Sequence, residues 1–156
     1  MTNQPIIQHE SFRLERIYSR CLAHVWSAWT DPRRKWSWFG GDAPMPTDYR
    51  LDFRPGGVEQ SRFTSAMGQH ENRTTYLDIA DQAHIAFAYS MSLNGRVHSA
   101  SVATVEFFDH GGGTRLVFTE SIATIGPSDG KAGREHGWTA LLAALDRQLA
   151  AETPVA

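Results

Sequence analysis

The 156-residue chain is 41% hydrophobic and 21% charged, with a formal net charge of -2, the make-up of an ordinary globular domain. That balance excludes a general nucleic-acid binder, which needs a basic face to displace counterions. No apolar run approaches the ~20 residues needed to cross a bilayer, Met1-Thr2-Asn3-Gln4-Pro5 lacks a signal-peptide pattern, and the lone Cys21 cannot form an internal disulfide, so a reducing cytoplasm is the expected compartment.

A single domain over 1–156 is expected, with an ordered core at about 11–150 and loose tails at 1–10 and 152–156. The first strand is placed at about 11–18, with Phe12 and Leu14 on one face and Arg13 and Glu15 on the other. Ser19 is the expected N-cap of the next helix. There Leu22, Val25, Trp26 and Trp29 form one apolar stripe. Asp31-Pro32 supplies a second N-cap with proline at the first helical position, where its missing N–H costs nothing. Gly40-Gly41 ends that short helix.

From Asp48 to Ile122, strands alternate with turn signals. Residues 49–53 alternate and stop at Pro55-Gly56-Gly57. Strands at 59–64 and 71–79 flank a turn near Met67-Gly68. Ile85, Phe87, Tyr89 and Met91 alternate up to Asn94-Gly95, a strong hairpin signal. A long strand at 97–108 runs to Gly111-Gly112-Gly113, and one at 114–121 follows. Short connections make these a six-stranded antiparallel meander. The last helix, about 133–151, presents Trp138, Leu141, Leu142, Leu145 and Leu149. Its ~18 residues span about 27 Å, close to the length of a nine-residue strand, so it can lie along the sheet's concave face.

The segments Val25-Trp26-Ser27-Ala28-Trp29-Thr30-Asp31-Pro32, Trp38-Phe39, Asp52-Phe53-Arg54-Pro55-Gly56-Gly57, Val105-Glu106-Phe107, Gly113-Thr114-Arg115-Leu116 and Gly137-Trp138 occur in this order. They resemble the homologues of the heat-shock-protein-90 ATPase activator, within the START-like (SRPBCC, helix-grip) superfamily. The match spans about residues 11–150. It implies an α+β helix-grip fold: a curved seven-stranded antiparallel sheet, two short helices, and a long C-terminal helix over a cavity. That family includes ligand carriers, cyclase-like enzymes and co-chaperone domains, so the resemblance implies an architecture rather than one activity.

The residues also point to a cavity. Gly130, Gly133 and Gly137 fall at helical spacing, and Gly137 is placed on the face of Leu141. A helix-interior glycine costs roughly 1 kcal/mol relative to alanine, which suggests unfilled room or close backbone approach. Ser99, Ser101 and Ala103 alternate with Val105 and Phe107 and leave space where a solid core needs larger groups. Trp36, Trp38, Phe39, Tyr49, Phe87, Tyr89 and Trp138 are candidate walls, with ordinary core packing the competing reading for each. Trp26 and Trp29 are read as core. Tyr49 and Tyr89 are the better ligand contacts, because a buried phenol needs a partner.

Glu120 shares the face of Leu116 and Phe118. It is either a buried carboxylate able to act as a general acid or a solvated group past the sheet's end. Arg73 and Glu71 share an inward face with Leu77 and Ile79 unless a bulge near Gly68 reverses them. The seven histidines show no metal-binding spacing, so no metal is expected. His136, beside Trp138, could act as a base at the cavity mouth, whereas His84 and His98 are read as surface groups. Arg33-Arg34-Lys35 reads as a solvated helix face, or as an anion-attracting rim.

The leading expectation is a cytoplasmic module, without cofactor, that binds a small apolar or aromatic molecule through Trp36, Trp38, Phe39, Tyr49, Phe87, Tyr89, Ser101, Glu120, Gly137 and Trp138. A second reading is a cyclase, dehydratase or hydrolase using Glu120, Tyr89 and His136. A third is a co-chaperone or protein-interaction module acting through the outer sheet face or the 36–41 lip. An exposed Trp38-Phe39 lip would need covering, for example in a homodimer.

Overall fold

Period-two burial decides which side of each strand meets the core. In β5 (His84–Leu93), Ile85, Phe87 and Tyr89 are buried while Ala86, Ala88 and Ser90 between them are not. The same phase buries Ser99, Ser101, Ala103, Val105 and Phe107 of β6 (Arg96–His110). The computed structural model describes residues 6–153. Its other elements are β1 (Ile7–Tyr18), α1 (Leu22–Thr30), α2 (Pro32–Phe39), β2 (Arg50–Leu51), β3 (Val58–Ser65), β4 (Gly68–Ala80), β7 (Gly113–Ile125) and α3 (Gly130–Ala151).

The seven strands form one antiparallel sheet in the order β1-β7-β6-β5-β4-β3-β2. Strands β2 to β7 are the expected meander, and β1 closes beside β7. β1 starts earlier than expected, because Ile7 pairs with Ile125 and so lies in the sheet rather than in a tail. β2 is cut to two residues. The chain curls at Asp52–Gly57, where the Asp52 N–H donates to Val58 O at 3.1 Å. A Cβ on Gly57 would sit 2.0 Å from Asp52 O, so only glycine fits that curl. Asn94 and Gly95 take φ of 52° and 82°, the left-handed pair a two-residue hairpin requires.

A register shift between Tyr76 and Asp78 places a bulge at Leu77, not near Gly68. Thr74 and Tyr76 are buried, Ile79 pairs with inward Ile85, and Leu77 is 50% exposed. Arg73 and Glu71 therefore lie on the outer face, where Glu71 accepts from Arg62 Nε at 2.9 Å.

Cys21, rather than Ser19, occupies the N-cap position of α1 and makes no side-chain cap bond. The Asp31 cap of α2 forms as expected: its Oδ1 accepts from the Arg33 and Arg34 N–H groups, each at 3.0 Å. Replacing Asp31 with alanine should cost about 1 kcal/mol. Urea denaturation should show this as a lower midpoint at unchanged slope.

α3 lies over the buried face through Trp138, Leu142, Leu145 and Leu149, and Tyr18 Oη donates to Leu142 O at 3.1 Å. Around this seam Trp29 contacts Trp38, Phe107 and Trp138. The end of α3 is held by charge. Arg20 Nε donates to Leu149 O at 2.8 Å, and Arg34 Nη2 lies 2.8 Å from Glu152 Oε2.

Buried His24 stands 3.6 Å from the same carboxylate. Burial, then the Arg34 charge, lowers its pKa below the usual 6.5, against the opposing pull of Glu152. The unfolded chain therefore binds this proton more readily. The contribution to stability is complete above pH 6.5 and is lost as pH falls through the folded value. Urea midpoints followed from neutral to mildly acidic pH should fall less steeply for His24→Gln than for the parent.

Candidate functional site

Two rows of inward side chains cross the sheet. One register runs Glu59, Thr74, Tyr89, Ser101, Ile122, and the next runs Tyr76, Phe87, Ala103, Glu120. Each row thus brings a carboxylate into the space beneath the helices. Removing a charge from water costs several kcal/mol unless it is paired and hydrogen-bonded. Both carboxylates are.

Glu120 is fully buried. Tyr89 Oη donates to Oε1 at 2.7 Å, Ser101 Oγ to Oε2 at 2.7 Å, and Arg134 Nη1 stands 3.1 Å from Oε2. Arg134 also donates to Ser99 Oγ at 2.7 Å and to Tyr89 Oη at 2.8 Å. Trp138 Nε1 completes the set on Tyr89 Oη at 3.1 Å. Burial, then the Glu120 charge, pushes the Tyr89 phenol well above its ordinary pKa, so it remains a neutral hydrogen-bonding group.

The second carboxylate, Glu59, accepts from Lys35 Nζ at 2.9 Å and Tyr49 Oη at 2.7 Å, and from Tyr76 Oη. Burial and then Glu59 raise both tyrosine pKa values. Lys35 reaches inward from α2. Its Nζ lies 4.8, 5.5 and 5.7 Å from the ring centroids of Phe39, Trp29 and Trp38, close enough for cation–π attraction.

Between the two clusters lies an enclosed space of about 10 Å³, bordered by Trp29, Phe39 and Trp138 on the helix side and by Glu59, Asn72 and Tyr89 on the sheet side. That is room for about one water. Helix α3 does cover a space, but a small one. The room left by Ser99 and Ser101 is taken by the Arg134 guanidinium. Gly137 leaves no gap: it is exposed, and a Cβ there would meet nothing within 4 Å. The buried stripe of α3 runs through Trp138 and Leu142 instead.

The larger concavity is an open groove of about 750 Å³ on the opposite face. Short side chains line it (Ala88, Ser90, Ala100, Val102, Ser121 and Ala123), and His9, Glu10 and Arg73 also border it. Among the described residues, no buried charged group converges there.

Of the residues named from sequence, Phe39, Phe87, Tyr89 and Trp138 border the interior space, and Tyr49, Ser101 and Glu120 bind its carboxylates or are one. Glu120 is buried, not solvated. Trp38 is 1% exposed and donates to Ala28 O. Trp36 is half-buried, packs on Tyr49 and donates to Ala43 O. The expected bare Trp38-Phe39 lip is therefore covered from within. His136 and Gly137 are exposed on α3, outside the cluster. Lys35 is 5% exposed, so Arg33-Arg34-Lys35 is not uniformly a solvated face.

Lys35, Glu59, Tyr76, Asn72, Ser99 and Arg134 had not been picked out as site residues. Two signals were available. Lys35 falls three and four residues before Trp38 and Phe39, and Arg134 falls four before Trp138, so each shares a helix face with an aromatic. Among the described residues, no three His, Cys, Asp or Glu side chains group to hold a metal ion, and no helix is long and apolar enough to cross a membrane.

This sheet, with two short helices and a long helix laid over its polar-studded inner face, defines a helix-grip α+β domain. The chain belongs to the family described as "Activator of Hsp90 ATPase homolog 1-like protein", whose sequence profile matches residues 22–150. An uncharacterised protein from Rhizobium leguminosarum is 34% identical, with a TM-score of 0.89 over 95% of this chain and 99% of its own. A protein from Rhizobium loti is also 34% identical, with a TM-score of 0.83 over 92% of this chain and 99% of its own. A Mesorhizobium loti protein at 17% identity and TM-score 0.71 shares the fold over 92% of this chain and 99% of its own. No curated protein matches the chain.

Proposed function

We propose that the chain is a small-molecule-binding domain that takes an apolar or aromatic ligand between the sheet and α3. The observation that carries this reading is a space walled by aromatic rings and bordered by Glu59 and Lys35 of one buried carboxylate cluster and by Tyr89 and Trp138 of the other. Replacing such buried pairs with apolar residues often leaves stability unchanged or improved. Two of them in one interior are better explained by recognition than by stability.

The space must enlarge to admit a ligand, and the first turns of α3 are suited to yield. Gly133 and Gly137 each cost roughly 1 kcal/mol of helix propensity relative to alanine. Asp129 provides no side-chain cap, the first N–H groups being held instead by Ser128 Oγ at 2.7 Å and by Glu10 Oε1 at 3.3 Å, and residues 131–137 are exposed or partly exposed. Local opening draws on such low-stability segments, and lifting these turns withdraws Arg134 and Trp138 together. An enzymatic reading has less support. Both Glu120 oxygens already accept from protein donors, and His136 lies outside the cluster.

Titration with naphthalene or indole, followed by indole and tyrosine NMR signals, tests the proposal. Shifts confined to Trp29, Tyr89 and Trp138 are expected. No shift at millimolar concentration of either probe sinks it.

A further inference from the structure

Two buried side-chain donors lack a partner among the described residues, Arg34 Nε and Trp29 Nε1, and of these two residues Trp29 alone borders the interior space. Trp29 is 2% exposed, and its Nε1 has no hydrogen-bond partner among the described residues. Leaving a buried N–H unpaired forfeits the hydrogen bond it made to water on unfolding, so such groups usually mark a missing partner. Trp29 borders the enclosed space between the two carboxylate clusters. The Lys35 ammonium borders it too, 5.5 Å from the Trp29 ring centroid.

The chemistry around that space is one-sided. The Glu59 oxygens are already engaged by Lys35, Tyr49 and Tyr76, and Asn72 Oδ1 accepts from Thr74 Oγ1 at 3.4 Å, so each carboxylate or amide acceptor beside the space has a protein donor, whereas the Trp29 donor has no acceptor among the described residues. An occupant is therefore recognised by accepting a hydrogen bond. It is also uncharged. Lys35 neutralises Glu59, and Arg134 neutralises Glu120. A ligand charge would enter this desolvated interior without a counter-charge.

We infer that the enclosed space is an acceptor-oxygen subsite: Trp29 Nε1, seconded by Lys35 Nζ, reads the carbonyl oxygen of a neutral aromatic ketone, aldehyde or amide. The inference rests on the interior-binding reading and adds the ligand's chemical class to it.

Acetophenone and ethylbenzene, nearly identical in shape, differ at this oxygen and serve as probes, with Trp29→Phe as the variant that keeps an aromatic ring and deletes the donor. Calorimetric or NMR titration should show the ratio of acetophenone to ethylbenzene affinity falling roughly tenfold in the variant, the worth of one buried hydrogen bond. An unchanged ratio, with both probes still bound, overturns the subsite and leaves interior binding standing. Failure of the parent protein to bind either probe overturns both. A readout independent of the variant's folding is the indole N–H of Trp29 in the parent protein. It should move downfield and exchange more slowly with acetophenone but not with ethylbenzene, and the same response to both probes rejects the assignment. Benzoate binding as tightly as acetophenone would refute the uncharged class.

Discussion

Replacing Arg134 with leucine is expected to destabilise the fold by about 3–5 kcal/mol, the cost of leaving a buried charge without its partner. Glu120 is 0% exposed and the Arg134 side chain 13%, so water reaches the pair too little to screen it. Tyr89 and Ser101 would still donate to the carboxylate, but neither brings a positive charge. The double variant Arg134→Leu, Glu120→Leu should recover only part of the loss, because it removes the unpaired charge but leaves the buried Tyr89 and Ser101 hydroxyls without their acceptor. Urea denaturation of the parent, both single variants and the double variant measures the coupling. A single variant within about 1 kcal/mol of the parent would mean that the guanidinium is not what allows Glu120 to be buried.

Replacing Trp138 with alanine should cost a similar 3–5 kcal/mol, the usual range for emptying a buried aromatic site. The ring lies 4.2 Å from the Phe118 centroid and 6.2 Å from the Trp29 centroid, where it is stacked, and its N–H serves Tyr89. Its removal also joins the vacated volume to the space beside Trp29. Free indole should then restore stability by mass action, about 2.7 kcal/mol at a hundred times its dissociation constant. Thermal melts with and without indole decide the matter. Absence of any upward shift would show that the interior collapses rather than staying open to a guest.

The architecture was legible because its signals are local. Alternation in 85–91, Asn94-Gly95 and the glycine run at 111–113 each act within a few residues, and together they set the meander. The bulge at Leu77 was misplaced because nothing in Tyr76-Leu77-Asp78 marks an extra residue; it is visible only against the pairing of β4 with β5. Glu120 was half-legible: alternation put it inward, but burial required a counter-charge that the strand does not contain. That charge sits on α3, and the partner of Lys35 sits 24 residues away on β3. Pairings of this kind arise only when elements are brought together in space. Lys35 and Arg134 were passed over for the same reason, since a lone cation on a helix is usually solvated. Gly137 was misjudged by one helical position, enough to turn a residue from core to solvent.

The sheet order carries a kinetic consequence. Each ladder from β2 to β7 joins strands that follow one another directly, so these pairs can form hairpin by hairpin. The ladder between β1 and β7 instead joins opposite ends of the chain. Loop-closure entropy grows with every residue enclosed, and distant pairings slow folding. The N-terminal strand therefore docks under the largest entropic handicap of any in the sheet. Until it does, Phe12 and Tyr18 have no place in the core, and the C-terminal helix lacks the Tyr18 hydroxyl that anchors its midpoint.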